Sequence, residues 1–184
     1  IMMKLEQNRQ DSSDDLAEHV NSISNVATDA SNLERINRWS AALRMFEEKP
    51  LMGFGPGTYK FRYASYQHSS QLTIISTNFG DLGNAHSEYF GPLAEMGIFG
   101  LLTFLGVIIA AIFKFVTLYL KLVNRELKLI LMGVFLGWSS YLIHGVLNNY
   151  LDLDKANVPF WGFLAILVAI ELYHKDKSDE STAY

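Results

Sequence analysis

The sequence predicts an all-α fold: a polytopic helical bundle in a membrane, with an extramembrane loop region that contains an amphipathic helix. Three observations predict it. Long apolar runs follow one another between residues 97 and 173. Residues 1–90 are polar and mixed by contrast. Arg-bearing, Gly-rich and His-bearing stretches gather in that polar half, just ahead of the first apolar run.

A helix rises about 1.5 Å per residue, so about 20 apolar residues cross a hydrocarbon core. Residues 97–120 meet that length with Lys114 as their only charge. Residues 127–147 carry Lys128 at one edge and His144 near the other, and residues 156–173 end close to Glu171. Lys and Arg in short loops set the orientation. The loop after the first run holds Lys121, Arg125 and Lys128, and the tail holds Lys175 and Lys177. The loop between the second and third runs has Lys155 beside Asp152 and Asp154. The first loop and the tail, residues 175–184, are therefore expected in the cytoplasm. The N-terminal half and the 148–157 loop face outward, which in a bacterium is the periplasm. Lys114 is expected to snorkel toward the cytoplasmic side. Trp138 and Trp161 read as lipid or bundle contacts, and Tyr141 and Tyr150 lie nearer the outer interface.

The bulk composition averages two unlike halves: 49% hydrophobic residues and a mean hydropathy of +0.12. A net charge of -4 argues against nucleic acid as a partner. With no cysteine, disulfides and thiolate metal sites are excluded. The start, Ile1-Met2-Met3-Lys4, turns polar at once and has no signal-peptide pattern. It reads as the C-terminal part of a longer protein.

Residues 1–30 read as linker or loop, because those after the first five are rich in Asp, Ser, Asn and Gln and poor in large apolar side chains. Residues 31–96 form the candidate catalytic loop region. Ser31-Asn32-Leu33-Glu34 has the form of a capping box. Leu33, Ile36, Trp39, Leu43 and Phe46 then fall on one helical face, and Pro50 ends the pattern. Such a helix suits the bilayer interface or the surface of the bundle. Arg35 and Arg38 lie on its flank one turn apart, and Arg44 points elsewhere. They read either as solvated or snorkelling charges or as an anion clamp, since a guanidinium offers planar, permanently charged donors.

In Pro50-Leu51-Met52-Gly53-Phe54-Gly55-Pro56-Gly57-Thr58-Tyr59, glycines at alternate positions forbid a regular helix and allow close backbone approach. No Gly-Lys-Ser/Thr follows, and no strand precedes, so neither a phosphate loop nor a dinucleotide fingerprint is present. Tyr59, Phe61, Arg62, Tyr63 and Tyr66 could stack on sugars or simply pack. Asn84-Ala85-His86-Ser87-Glu88-Tyr89 follows a turn at Gly80-Asp81-Leu82-Gly83. Asn84 as N-cap would place His86 in the first turn of a helix. Donors at a helix start favour an anion, and an imidazole there could accept a proton near neutrality. A structural role for His86 remains the alternative.

Four stretches together resemble the O-antigen ligase and polysaccharide polymerase family. They are Arg35-Ile36-Asn37-Arg38-Trp39-Ser40-Ala41-Ala42, Lys49-Pro50-Leu51-Met52-Gly53-Phe54-Gly55-Pro56-Gly57-Thr58-Tyr59, Ala85-His86-Ser87-Glu88-Tyr89 and Leu93-Ala94-Glu95-Met96-Gly97-Ile98-Phe99-Gly100-Leu101. The matching pattern is an Arg four before a Trp, a Pro-x-x-Gly-x-Gly turn, an Ala-His motif and a Glu-x-Gly-x-x-Gly start to a membrane helix, over about residues 33–120. Ser87 stands where Asn is common after the His. The family also has more spans upstream, and an upstream outer-loop Arg that this sequence lacks.

The resemblance implies a GT-C-type glycosyltransferase of the bacterial inner membrane, multi-pass, with its active side periplasmic. Its donor would be a glycan on undecaprenyl pyrophosphate. Its acceptor would be a hydroxyl of lipid A–core, of a growing glycan, or of a protein. Membrane lipids surround it, and it would use no cofactor, no metal and no nucleotide sugar. His86 is then the base, or an orienting hydrogen-bond acceptor, for the acceptor hydroxyl. Arg35, at the family's position relative to Trp39, meets the charge on the leaving pyrophosphate, with Arg38 second. Gly53, Gly55 and Gly57 shape the loop, and Tyr59, Glu88 and Tyr89 are further substrate-side candidates. Direct displacement predicts inversion at the anomeric carbon. Three rivals stand beside this reading. Asp152-Leu153-Asp154 could serve a metal-dependent transferase or simply cap a loop. His144 is an ionisable group inside a span. The whole protein could be a transporter or flippase that performs no chemistry.

Overall fold

Helix α1, Ala30–Glu48, is built from good helix formers with no Gly or Pro before Pro50 closes it. The computed structural model describes residues 30–78 and 83–173, and among these every regular element is helical. The chain divides into two units, Ile1–Leu101 and Leu102–Tyr184. The expectations for the linker up to residue 29, the turn at 80–82 and the tail 175–184 lie outside the described residues.

In the first unit, α1 buries Ala30, Glu34, Asn37, Arg38, Ala41, Ala42 and Met45. This is not the apolar face read from the sequence: Ile36 and Leu43 stay 44% and 41% exposed. Ala41 and Ala42 are small enough for neighbouring backbone to come close, and the polar members satisfy one another. The capping-box expectation is corrected too. Ser31 lies inside the helix, and Glu34 turns inward instead of reaching back to a cap.

Helix α2, Tyr59–Arg62, runs directly into a 3-10 turn, Tyr63–Tyr66. The core of this unit is Ala42, Met45, Tyr59, Tyr63, Ala85 and Ala94, with Phe54, Tyr66 and Phe90 packed on it. Tyr59 and Tyr63 stack with ring centroids 5.4 Å apart. The first turns of helix α3, Phe90–Lys121, supply Ala94. That helix breaks at Gly97, whose φ of 66° and ψ of -157° no helix contains. The apolar run expected from residue 97 is therefore the second part of a longer, kinked helix.

The second unit holds the rest of α3 with α4, Arg125–His144, and α5, Asp154–Tyr173. Asn124 caps α4 by accepting from the N–H groups of Glu126 (2.8 Å) and Leu127 (3.2 Å). Phe115 stacks on Phe135 at 3.8 Å, while Leu131, Trp138, Phe160 and Leu167 fill the interior. Trp138 is thus a bundle contact, whereas Trp161 is exposed. Helices α3, α4 and α5 are each long and apolar enough to cross a membrane. Large apolar side chains such as Ile109, Phe113, Leu129 and Val168 lie on the outside of these helices. That is the surface a lipid solvent calls for. Lys114 does not snorkel alone: its Nζ pairs with Glu171 Oε1 at 2.7 Å, joining α3 to α5. A charge held among apolar helices is stabilised by an opposite charge within reach.

Candidate active site

The glycine loop and the start of α3 are locked together by backbone. Gly53, Gly55 and Gly57 all have positive φ (62°, 110° and 72°). The Gly55 N–H donates to the Glu95 carbonyl at 2.7 Å, and the Ile98 N–H donates to the Pro50 carbonyl at 2.8 Å. A Cβ on Gly53 would overlap the Glu95 carbonyl, and one on Gly97 would overlap that of Leu51. Only glycine at both positions lets the two segments touch. The Glu95 carboxylate then accepts from the N–H of Gly57 and that of Tyr59, each at 2.8 Å. The loop therefore closes around a carboxylate of its own chain.

Tyr59 carries this lock toward α1. Its hydroxyl donates to the Arg38 carbonyl at 2.8 Å. Burial raises its pKa well above the ordinary tyrosine value, so it stays a donor. The Arg38 side chain is 1% exposed. Its Nε donates to Glu34 Oε1 at 2.6 Å, its Nη2 to Thr77 Oγ1 at 2.6 Å, and its guanidinium sits 4.0 Å over the Tyr63 ring. Glu34 also accepts from Thr73 (3.0 Å), Asn37 (3.3 Å) and Ser76. A buried ion pair is stable only when its remaining donors and acceptors are met. Here one is not: Arg38 Nη1 is buried with no hydrogen-bond partner among the described residues. Arg35, one turn back, gives Nη1 to Asn32 Oδ1 at 2.9 Å, and its Nε is likewise buried and unpartnered among them.

His86 stands in the left-handed region at φ 48°, the only described non-glycine residue with positive φ. Strain of this kind persists only where surrounding structure enforces it. Asn84 Oδ1 accepts from the His86 N–H at 3.1 Å, and Trp39 Nε1 reaches the His86 carbonyl at 3.4 Å. The expected cap is corrected: Asn84 forms a turn, and Ser87 Oγ accepts from the N–H groups of Tyr89 (3.2 Å) and Phe90 (3.4 Å) at the helix start. His86 therefore precedes the helix and does not lie in its first turn. Burial, then the charges of Arg38 and Arg35, hold its pKa below the ordinary value of 6.5. The imidazole is neutral at pH 7 and able to accept a proton.

The residues singled out from sequence thus fall into two sets. Arg35 and Arg38 lie near enough to His86 for their charges to lower its pKa. Gly53, Gly55, Gly57 and Tyr59 build the loop scaffold that reaches α1 through the Tyr59 hydroxyl, with the Tyr59 ring in the core. Glu88 and Tyr89 sit beside His86 in the chain, half-buried. Burial first, then Glu88, raises the Tyr89 pKa. Arg44 does point elsewhere, to the Tyr66 carbonyl and to Gln71. Asp152 accepts from Asn149 at 3.1 Å, and Asp154 is the first residue of α5. The roles of two carboxylates escaped the sequence reading, which places Glu34 in a capping box and assigns Glu95 no role. Glu95 was visible only as a letter in the Glu-x-Gly motif, because its partners are backbone groups 36 and 38 positions away.

The profile of the O-antigen ligase family matches residues 2–105. This chain belongs to the O-antigen ligase family. It is a multi-pass membrane protein of the ligase and polymerase glycosyltransferase type. The matched part of this O-antigen ligase family member contains α1, the glycine loop, His86 and the kink at Gly97, so every residue of the candidate site falls inside it. No curated protein and no solved structure matches the chain.

Proposed function

We propose that the chain moves a glycan from undecaprenyl pyrophosphate to a hydroxyl of lipid A–core or of a growing polysaccharide, at the periplasmic face of the bacterial inner membrane. The observation that carries this reading is an imidazole, His86, whose pKa is lowered by burial and by the charges of two guanidinium groups, each of which keeps a buried nitrogen with no hydrogen-bond partner among the described residues.

The acceptor oxygen attacks the anomeric carbon as His86 takes its proton. The bond from that carbon to the diphosphate oxygen breaks, and its electron pair leaves with the diphosphate. Arg35 meets the charge that develops there, and Arg38 adds to the field from its buried position. Displacement from the opposite face inverts the anomeric carbon. The Arg35 guanidinium supplies positive charge at the leaving group, which favours a step that needs no metal. The proton on His86 then passes to solvent or to the departed diphosphate, which restores the base.

A transfer assay on the complete membrane-embedded protein tests this. Donor binding retained with product lost in His86→Ala, and both impaired in Arg35→Ala, is the expected result. Normal transfer by both variants would remove the assignment. Glycan crossing the bilayer with no new glycosidic bond would favour a transporter. Transfer to a protein Ser or Tyr alone would replace the acceptor.

A further inference from the structure

The loop between α1 and α2 ends in a tip that the chemistry above does not use. Leu51 and Met52 are 61% and 73% exposed, among the most exposed large apolar side chains of this unit. Their height is not free. The Pro50 carbonyl accepts from Ile98, Gly97 packs on the Leu51 backbone, and Gly53 packs on Glu95. The tip is therefore held beside the residues at which the apolar run begins. Met96 and Phe99, on either side of that point, are themselves exposed. The apolar tip, Met96 and Phe99 thus make exposed apolar surface where the apolar run begins.

Cations gather beside it. Lys49 Nζ lies 4.6 Å from the centre of the Phe54 ring, and the Arg62 guanidinium lies 5.9 Å from the same ring. Both side chains are exposed. Glu48, the acid nearest Lys49 in sequence, is turned to the Tyr66 hydroxyl at 2.6 Å. A rigid apolar tip flanked by cations matches the boundary between headgroups and acyl chains.

We propose that Lys49-Pro50-Leu51-Met52, with Arg62, is a lipid-docking surface. Leu51 and Met52 enter the acyl boundary of the leaflet from which the first span starts, and Lys49 and Arg62 bind the phosphates of anionic headgroups. The occupant is phospholipid, because the tip packs on Gly97, inside a helix long and apolar enough to cross a membrane. Docking there sets the depth of the loop that carries Glu95 and Tyr59, whatever reaction the site performs.

The sequence contains no cysteine, so with any cysteine elsewhere in the complete protein replaced by Ser, Met52→Cys and Glu47→Cys each accept one environment-sensitive fluorophore. The complete protein is placed in nanodiscs of phosphatidylcholine, with or without phosphatidylglycerol. The Met52 probe is expected to be quenched by phosphatidylcholine spin-labelled high on its acyl chain and shielded from iodide, and the Glu47 probe to behave in the opposite way. Phosphatidylglycerol should deepen the Met52 probe, and Lys49→Ala with Arg62→Ala should abolish that difference. Iodide access at Met52 equal to that at Glu47 overturns the proposal. So does shielding from iodide without quenching by lipid, which would mean that a second copy or another protein covers the tip. Equal depth with and without phosphatidylglycerol overturns the headgroup half.

Discussion

The Glu95 carboxylate accepts the backbone N–H of Tyr59 at 2.8 Å, and through it the start of the first apolar helix holds the residue whose hydroxyl reaches Arg38. Hydrogen bonds to a charged group each contribute about 1.5–3 kcal/mol, least when partly wet. Glu95→Ala leaves the N–H groups of Gly57 and Tyr59 without this acceptor. It should lower the unfolding free energy by about 2–3 kcal/mol, read as a fall in midpoint temperature in detergent. Glu95→Gln keeps one acceptor and should fall between. Equal midpoints for all three proteins would mean that the loop is held by other contacts.

The loop glycines should rank in sensitivity. Left-handed backbone costs a residue with a Cβ about 1–2 kcal/mol, and Gly53 and Gly57 share that cost. At Gly53 the Cβ also strikes the Glu95 backbone, whereas at Gly57 it meets open space. Gly53→Ala should therefore be more destabilising and lose more transfer activity than Gly57→Ala. The reverse order, in expression and thermal midpoint, would contradict the backbone contact.

The rate should follow the protonation of His86. Its pKa in the folded protein lies below 6.5, so the acid limb of kcat/KM should fall below that value and activity should be flat through neutrality. Stability has the same sign. The contribution from keeping His86 neutral is present above the ordinary histidine value and is lost as pH falls from there through the folded one. A diphosphate beside Arg35 would offset its charge and raise the His86 pKa. The acid limb of kcat should then sit at higher pH than that of kcat/KM. Arg35→Gln should move the kcat/KM limb upward. A limb that ignores this substitution would separate His86 from the arginines.

The two arginines should fail differently. Arg38→Ala strands Glu34, a buried carboxylate, and breaking one side of a buried pair costs about 3–5 kcal/mol. That variant should be hard to fold. Arg35 has one side-chain partner among the described residues, Asn32, and is only partly buried. Arg35→Ala should keep the unfolding free energy within about 1 kcal/mol of the parent while losing most transfer. Similar midpoints for both variants would assign Arg38 no structural role.

The apolar spans, their number and the all-α class were legible in the sequence because they depend on composition over about 20 residues, a local property. The family motifs were legible for a similar reason: glycines, His86 and Arg35 keep their spacing along the chain. The buried face of α1 was not. Periodicity pointed to Leu33, Ile36, Trp39, Leu43 and Phe46, yet the unit buries Glu34, Asn37 and Arg38, whose partners Gln67, Thr73, Ser76 and Thr77 lie 30 to 42 residues away. A polar residue can be buried only where its hydrogen bonds are met, and the chain decides that by folding back. The same holds for Glu95 in the glycine loop, for Lys114 against Glu171, and for Ser87 in place of Asn84 at the head of α3. Residue types and their order along the chain determined what this protein is. Tertiary closure alone decided which side chains hold the scaffold and which are left to act.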